Sequence, residues 1–101
     1  MTRVIVVGSG AREHAITRAL CNSGATVTCF ASNLNPGIMA LADDLELGDL
    51  NSPDEVIGYA IRQGAELAVI GPEAPLAAGV ADALLAVTIP IGSTVHARPL
   101  A

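Results

Sequence analysis

The chain has 101 residues, a net charge of −5 and a composition that is 51% hydrophobic with a single Phe and a single Tyr. That is one domain with room for one modest core, and its acidity, without any basic cluster, excludes nucleic acid and anionic membrane as large partners. All five cations are arginines (Arg3, Arg12, Arg18, Arg62, Arg98), so a Walker lysine, a Schiff-base lysine and the lysine of a phospho-accepting receiver are all excluded.

The chain opens on RVIVV (3–7), a strand built from β-branched residues. A helix is predicted over 11–22, with Ala15, Ile16, Ala19 and Leu20 as its apolar face. TVTCF (26–30) reads as the second strand, and a short helix at about 36–42 carries Ile38, Met39 and Leu41. DLEL (44–47) is short and half polar, which suits a sheet edge.

The helix at 53–63 has the clearest start. Ser52 caps it, Pro53 fits its first position and Glu55 completes a Ser-x-x-Glu box. Val56, Ile57, Ala60 and Ile61 form its apolar face, and Gly64 stops it. ELAVI (66–70) is the fourth strand. A helix at about 76–86 then presents Ala77, Val80, Ala81 and Leu84, and TIPI (88–91), with its internal proline, belongs at the other edge.

Regular alternation of strand and helix predicts an α/β, Rossmann-like, doubly wound parallel sheet of about five strands. The expected order is 3-2-1-4-5, with helices on both faces. The N-terminus opens directly into a strand, without a leader pattern, and no apolar run reaches membrane-spanning length, so a cytoplasmic protein is expected. Cys21 and Cys29 fit no metal-ligand spacing and read as reduced thiols.

In that topology strands 1 and 4 are neighbours, and ligands bind beyond their carboxyl ends. The loops that meet there are GSGAREH (8–14) and GPEAPL (71–76). Gly8 and Gly10 permit a tight turn into a helix whose first N–H groups point outward with the positive end of the helix dipole. Arg12 adds a forked donor for phosphate or carboxylate. Two prolines stiffen the second loop around Glu73, a carboxylate suited to ligand hydroxyls or an amine.

A dinucleotide site asks for a small residue where Glu13 stands, and for an acid at the end of strand 2, which here reads CFASN. Both requirements fail for NAD. His14 reads as a packed or surface histidine, and the Asn-Pro-Gly of NLNPGI (33–38) as turn chemistry that starts a helix.

Taken together, VIVVGSGAREHAI and LAVIGPEAPLAAGVADAL resemble the N-terminal domain of the glycinamide ribonucleotide synthetase (phosphoribosylamine–glycine ligase) family of the ATP-grasp superfamily. The resemblance implies a substrate-side domain over 1–92, with 93–101 leading toward ATP-grasp domains beyond this chain. It implies a ligase of de novo purine synthesis that joins 5-phosphoribosylamine to glycine through a glycyl phosphate. ATP and magnesium would be held by those further domains of the same polypeptide, with no catalytic residue or metal ligand here.

Substrate contact is carried by the resemblance to Gly8, Ser9, Gly10, Arg12 and Glu13, and to Gly71, Pro72 and Glu73. Ala11, the loop ASNLNPGI, Ser93 and Pro99 depart from the family pattern. GSTVHARPLA starts an element without finishing it, so a piece of a longer protein is expected, inactive in ligation alone. The residues by themselves leave a second reading open, a stand-alone nucleotide- or phosphate-binding module without catalysis.

Overall fold

The computed structural model describes residues 2–71, 79–86, 89 and 91–93. Its elements alternate as β1 Arg3–Val7, α1 Ala11–Asn22, β2 Thr26–Ala31, α2 Pro36–Leu41, β3 Asp44–Leu47, α3 Pro53–Arg62, β4 Leu67–Ile70, α4 Val80–Ala86 and β5 Ile91–Ser93. All strand pairings are parallel, in the order β3-β2-β1-β4-β5. The expected Rossmann-like order is the observed one, with DLEL and the last strand at the two edges.

Alternation along the strands builds two different layers. Ile5, Val7, Phe30, Ala68 and Ile70 face α3 and α4, where Val56, Tyr59, Ala60, Val80 and Leu84 complete the larger core. On the opposite face Cys29 and Ala31 pack with Ile38 of α2, and Val4, Val6 and Val27 are buried there too. The single Phe and Tyr meet in the larger core, ring centroids 5.5 Å apart and tilted by 41°. The Tyr59 hydroxyl donates to Asp44 Oδ2 at 2.7 Å, which ties α3 to edge strand β3.

Four expectations shift. α1 is rotated about its axis: Glu13 and Thr17 are buried, whereas Ala15 and Ala19 are exposed and Ile16 and Leu20 half-buried. Thr17 tolerates burial because its hydroxyl donates to the Glu13 carbonyl at 2.7 Å. In α3 the buried face is Val56, Tyr59 and Ala60, while Ile61 is exposed; the larger ring takes the core position.

The cap of α3 is half the expected box. Ser52 Oγ accepts from the Glu55 N–H at 3.4 Å, but the Glu55 carboxylate accepts from Asp49 N–H at 3.5 Å instead of returning to Ser52. Gly64 does end the helix, in the left-handed region at φ 66°. β5 runs over Ile91–Ser93, two residues past the expected end of TIPI, while Thr88 and Pro90 of that expected strand lie outside the described residues. Ser93 therefore lies in the sheet. Pro72, Glu73, Ala77 and the rest of the expected connector, 94–101, lie outside the described residues.

Candidate functional site at the carboxyl edge of β1 and β4

β1 and β4 end side by side, Val7 opposite Ile70. The turns that follow are held to the same rim by backbone bonds. Gly8 N–H donates to Phe30 O at 2.9 Å and Gly71 N–H to Val7 O at 3.1 Å. The GSG turn and the start of the GPE turn therefore converge, as the topology demands. Of the residues expected to touch substrate, Gly8, Ser9, Gly10, Arg12, Glu13 and Gly71 come together here; Pro72 and Glu73 fall outside the described residues.

Glu13 occupies the middle of this rim. It is only 5% exposed, and its Oε1 accepts from the Gly10 N–H at 2.9 Å. Gly10 is the N-cap of α1, so this is the return arm of a capping box whose outward arm is missing, glycine having no side chain. A Cβ at Gly8 would come within 2.7 Å of Glu13 Oε1, one at Gly10 within 3.2 Å, and one at Gly71 would overlap the carboxyl group.

Three glycines from two loops thus make room for one carboxylate. Gly8 has a second reason, its φ of 131°. The third glycine of a dinucleotide fingerprint lets helix and strand pack closely; here that position carries a buried carboxylate side chain accommodated by Gly8, Gly10 and Gly71, so the NAD fingerprint breaks at position 13.

With Gly10 N–H engaged by Glu13, the amides that remain are those of Ala11, Arg12 and Glu13, which have no intrahelical acceptor. The first amide that does is His14, whose N–H reaches Gly10 O at 3.0 Å. Ala11 and Arg12 are exposed. Among the described residues nothing forms a hydrogen bond or ion pair with the Arg12 guanidinium. Outward amides, the dipole end and an unengaged guanidinium suit an anion at the outer side of the turn.

The third rim segment is tied in by residues whose part was only half legible. Asn35 caps α2, its Oδ1 accepting from Gly37 N–H at 2.9 Å and Ile38 N–H at 3.2 Å. Its Nδ2 donates to Ser9 O at 2.9 Å, clamping the rim loop to the GSG turn. The cap was visible as Asn-Pro-Gly; the clamp, 26 residues away, had no sequence signal. His14 lies over Gly37, where any Cβ would overlap its ring, and Nε2 accepts from Arg18 Nη2 at 3.4 Å. It is a packing residue between α1 and α2.

Below the turn, the buried Cys29 thiol donates to Gly8 O at 3.2 Å. Burial, and secondarily the Glu13 carboxylate, push its pKa up to about 12, so it stays a thiol and is no nucleophile at neutral pH. Both cysteines are free. Among the described residues no group of three or more His, Cys, Asp or Glu is placed to hold a metal, and no helix is long and apolar enough to cross a membrane. Among the described residues the arrangement holds donors for an anion and no activated nucleophile.

Residues 2–98 match the family described as "Phosphoribosylglycinamide synthetase, N domain". The phosphoribosylamine–glycine ligase of Pyrococcus horikoshii is 46% identical over 99 residues, covering 97% of this chain and 23% of that protein. The ligase of the same name from Methanopyrus kandleri is 47% identical over 87 residues, covering 83% of this chain and 19% of that protein. The crystal structure of phosphoribosylglycinamide synthetase from Anaerococcus prevotii superposes with a TM-score of 0.69 at 19% identity, over 82% of this chain and 21% of that one; at that identity it supports the fold alone. The chain spans about a fifth of the length of these relatives.

Proposed function

This chain belongs to the phosphoribosylglycinamide synthetase N-domain family, and from that premise we propose that it is the substrate-side domain of a cytoplasmic ligase joining 5-phosphoribosylamine to glycine in purine synthesis. The observation that carries the proposal is the rim itself: two turns braced by Glu13 beside an unengaged arginine and the outward amides of α1. A ribose phosphate is bound by the amides of Ala11 and Arg12 with the Arg12 guanidinium. Ser9 and Gly10 shape the turn beneath it. Glu13 acts as the brace that fixes the spacing of Gly8, Gly10 and Gly71. Pro72 and Glu73 follow Gly71 in the sequence, and Glu73 is assigned to the ribose hydroxyls or the amine.

ATP and magnesium do not fit this chain. Phosphoryl transfer needs cations around the polyphosphate and carboxylates on the metal; the chain contains no lysine, and its described residues hold no carboxylate cluster. Those groups belong to the larger part of the ligase, so this chain binds and orients one substrate and performs no ligation alone.

Calorimetric titration with ribose 5-phosphate, AMP and NAD tests this reading. Ribose 5-phosphate is expected to bind saturably and more tightly than NAD. Arg12→Ala is expected to weaken that binding by about 1.5–3 kcal/mol, the range for a charged hydrogen bond, with little change in stability. NAD binding tighter than ribose 5-phosphate binding contradicts the proposal, as does a loss of stability in Arg12→Ala with affinity intact.

A further inference from the structure

The GSG turn is made of residues that resist little. Gly8 sits at φ 131°, and Gly10 has no Cβ, so the peptide unit between Ser9 and Gly10 meets little steric opposition to turning over. Glycine is nevertheless required at both positions, because a Cβ at either would crowd the Glu13 carboxylate. Hydrogen bonds, and not sterics, must therefore fix the turn.

Four of them do so, each on a different backbone group. Two tie the turn to β2: Gly8 N–H donates to Phe30 O, and Gly8 O accepts from the Cys29 thiol. The other two grip a single peptide unit at both ends. Gly10 N–H donates to Glu13 Oε1 at 2.9 Å, and the Ser9 oxygen accepts from Asn35 Nδ2 at 2.9 Å. In a trans peptide these two groups point in opposite directions, so the two side chains hold the unit from opposite sides. Turning it over would set the Ser9 oxygen toward the Glu13 carboxylate and the Gly10 N–H toward the Asn35 amide. Both bonds would be lost, with acceptor facing acceptor and donor facing donor.

Asn35 is itself held in place. Its Oδ1 accepts from the Gly37 and Ile38 N–H groups, and the His14 ring lies so close to Gly37 that no Cβ fits between them. The amide that reaches Ser9 is thus braced by α2 and, through His14, by α1. Its two ends do separable jobs: the oxygen caps α2, and the nitrogen grips the turn.

We propose that Asn35 is a positioning residue for the anion site. With Glu13 it holds the Ser9–Gly10 peptide in the orientation that leads the chain into α1 with the Ala11 and Arg12 amides outward. The inference rests on the ribose phosphate reading of that site and adds to it a residue that touches no ligand. Without the grip, only part of the population keeps the competent turn, and apparent affinity falls by that fraction.

Two substitutions separate the jobs. Serine is as good an N-cap as asparagine but has no amide to reach the Ser9 oxygen, so Asn35→Ser removes the grip and keeps the cap. Asn35→Ala removes both. Titrated with ribose 5-phosphate, both variants are expected to bind roughly three- to tenfold more weakly than the native chain, the effect of one net hydrogen bond. Only Asn35→Ala is expected to lower the urea midpoint. Without ligand, the Ser9, Gly10 and Ala11 amide resonances of Asn35→Ser are expected to broaden by exchange between two turn orientations, and saturating ribose 5-phosphate to sharpen them again. Native affinity in Asn35→Ser, or weaker binding only in Asn35→Ala in step with its lost stability, overturns the positioning role and leaves the ligand reading intact. Weaker binding in Asn35→Ser with sharp ligand-free resonances overturns it as well. No saturable binding by the native chain removes the ligand reading itself, and this inference with it.

Discussion

Glu13 and Gly71 come from loops far apart in sequence and compete for one small volume, so their substitutions test each other. Glu13→Ala strands the Gly10 N–H and is expected to cost about 1–3 kcal/mol in urea unfolding. Gly71→Ala pushes a methyl into the carboxyl group and is expected to cost about 1–3 kcal/mol as an overpacking change. The double variant is expected to be more stable than the sum of the two losses predicts, because the methyl then meets empty space. Strict additivity would mean that the two side chains do not share this gap.

Cys29 supplies a pH dependence at the same scale. Its pKa rises from 9.0 unfolded to about 12 folded, so between those values the unfolded chain has lost a proton that the folded chain keeps. Stability is then fully present below pH 9 and falls as pH climbs through that window, by at most about 1.4 kcal/mol per pH unit for one group. Tyr59, raised mainly by burial and then by its bond to Asp44, shifts stability in the same direction above its own ordinary value of 10.0. Comparing the native chain with Cys29→Ala by thermal melts across alkaline pH isolates the thiol's share: the variant is expected to show the shallower decline.

Among the elements, α3 carried the plainest text. Ser52, Pro53 and Gly64 marked both ends, and each does its expected job. Ser52→Ala is accordingly expected to lower stability by about 1 kcal/mol, read as a shifted urea midpoint. What local pattern could not show is rotation. In α1 the helical spacing of Ala15, Ile16, Ala19 and Leu20 named the wrong side, because a buried Glu13 looks polar until its partner in the glycine turn is known. In α3, Ile57 and Ile61 outranked Tyr59 by hydrophobicity, yet Phe30 and Asp44 together give the tyrosine both a ring neighbour and a hydrogen-bond acceptor. The edge pair Arg62–Glu46 at 2.8 Å is exposed on both sides and adds little to stability.

For the whole molecule, the strand order followed from alternation and crossover handedness before any contact was known, and that order brings the two unusual loops together. Their convergence was legible; the way they are held was not, since the Glu13 brace and the Asn35 clamp are contacts between segments that no spacing rule connects. A cavity of about 400 Å³ at the amino edge, lined by Val4, Leu20 and Leu67 together with the turn at 23–25, offers a second, competing place for a small molecule. The two edges are separated by the length of β1, so a site-resolved measurement tells them apart.

The most direct test is an amide chemical-shift titration of the chain with ribose 5-phosphate. The account predicts saturable shifts concentrated at Ser9–Glu13 and Gly71, abolished by Arg12→Ala. Shifts concentrated instead at Ser23–Ala25 and Leu67, or none that saturate, would contradict it.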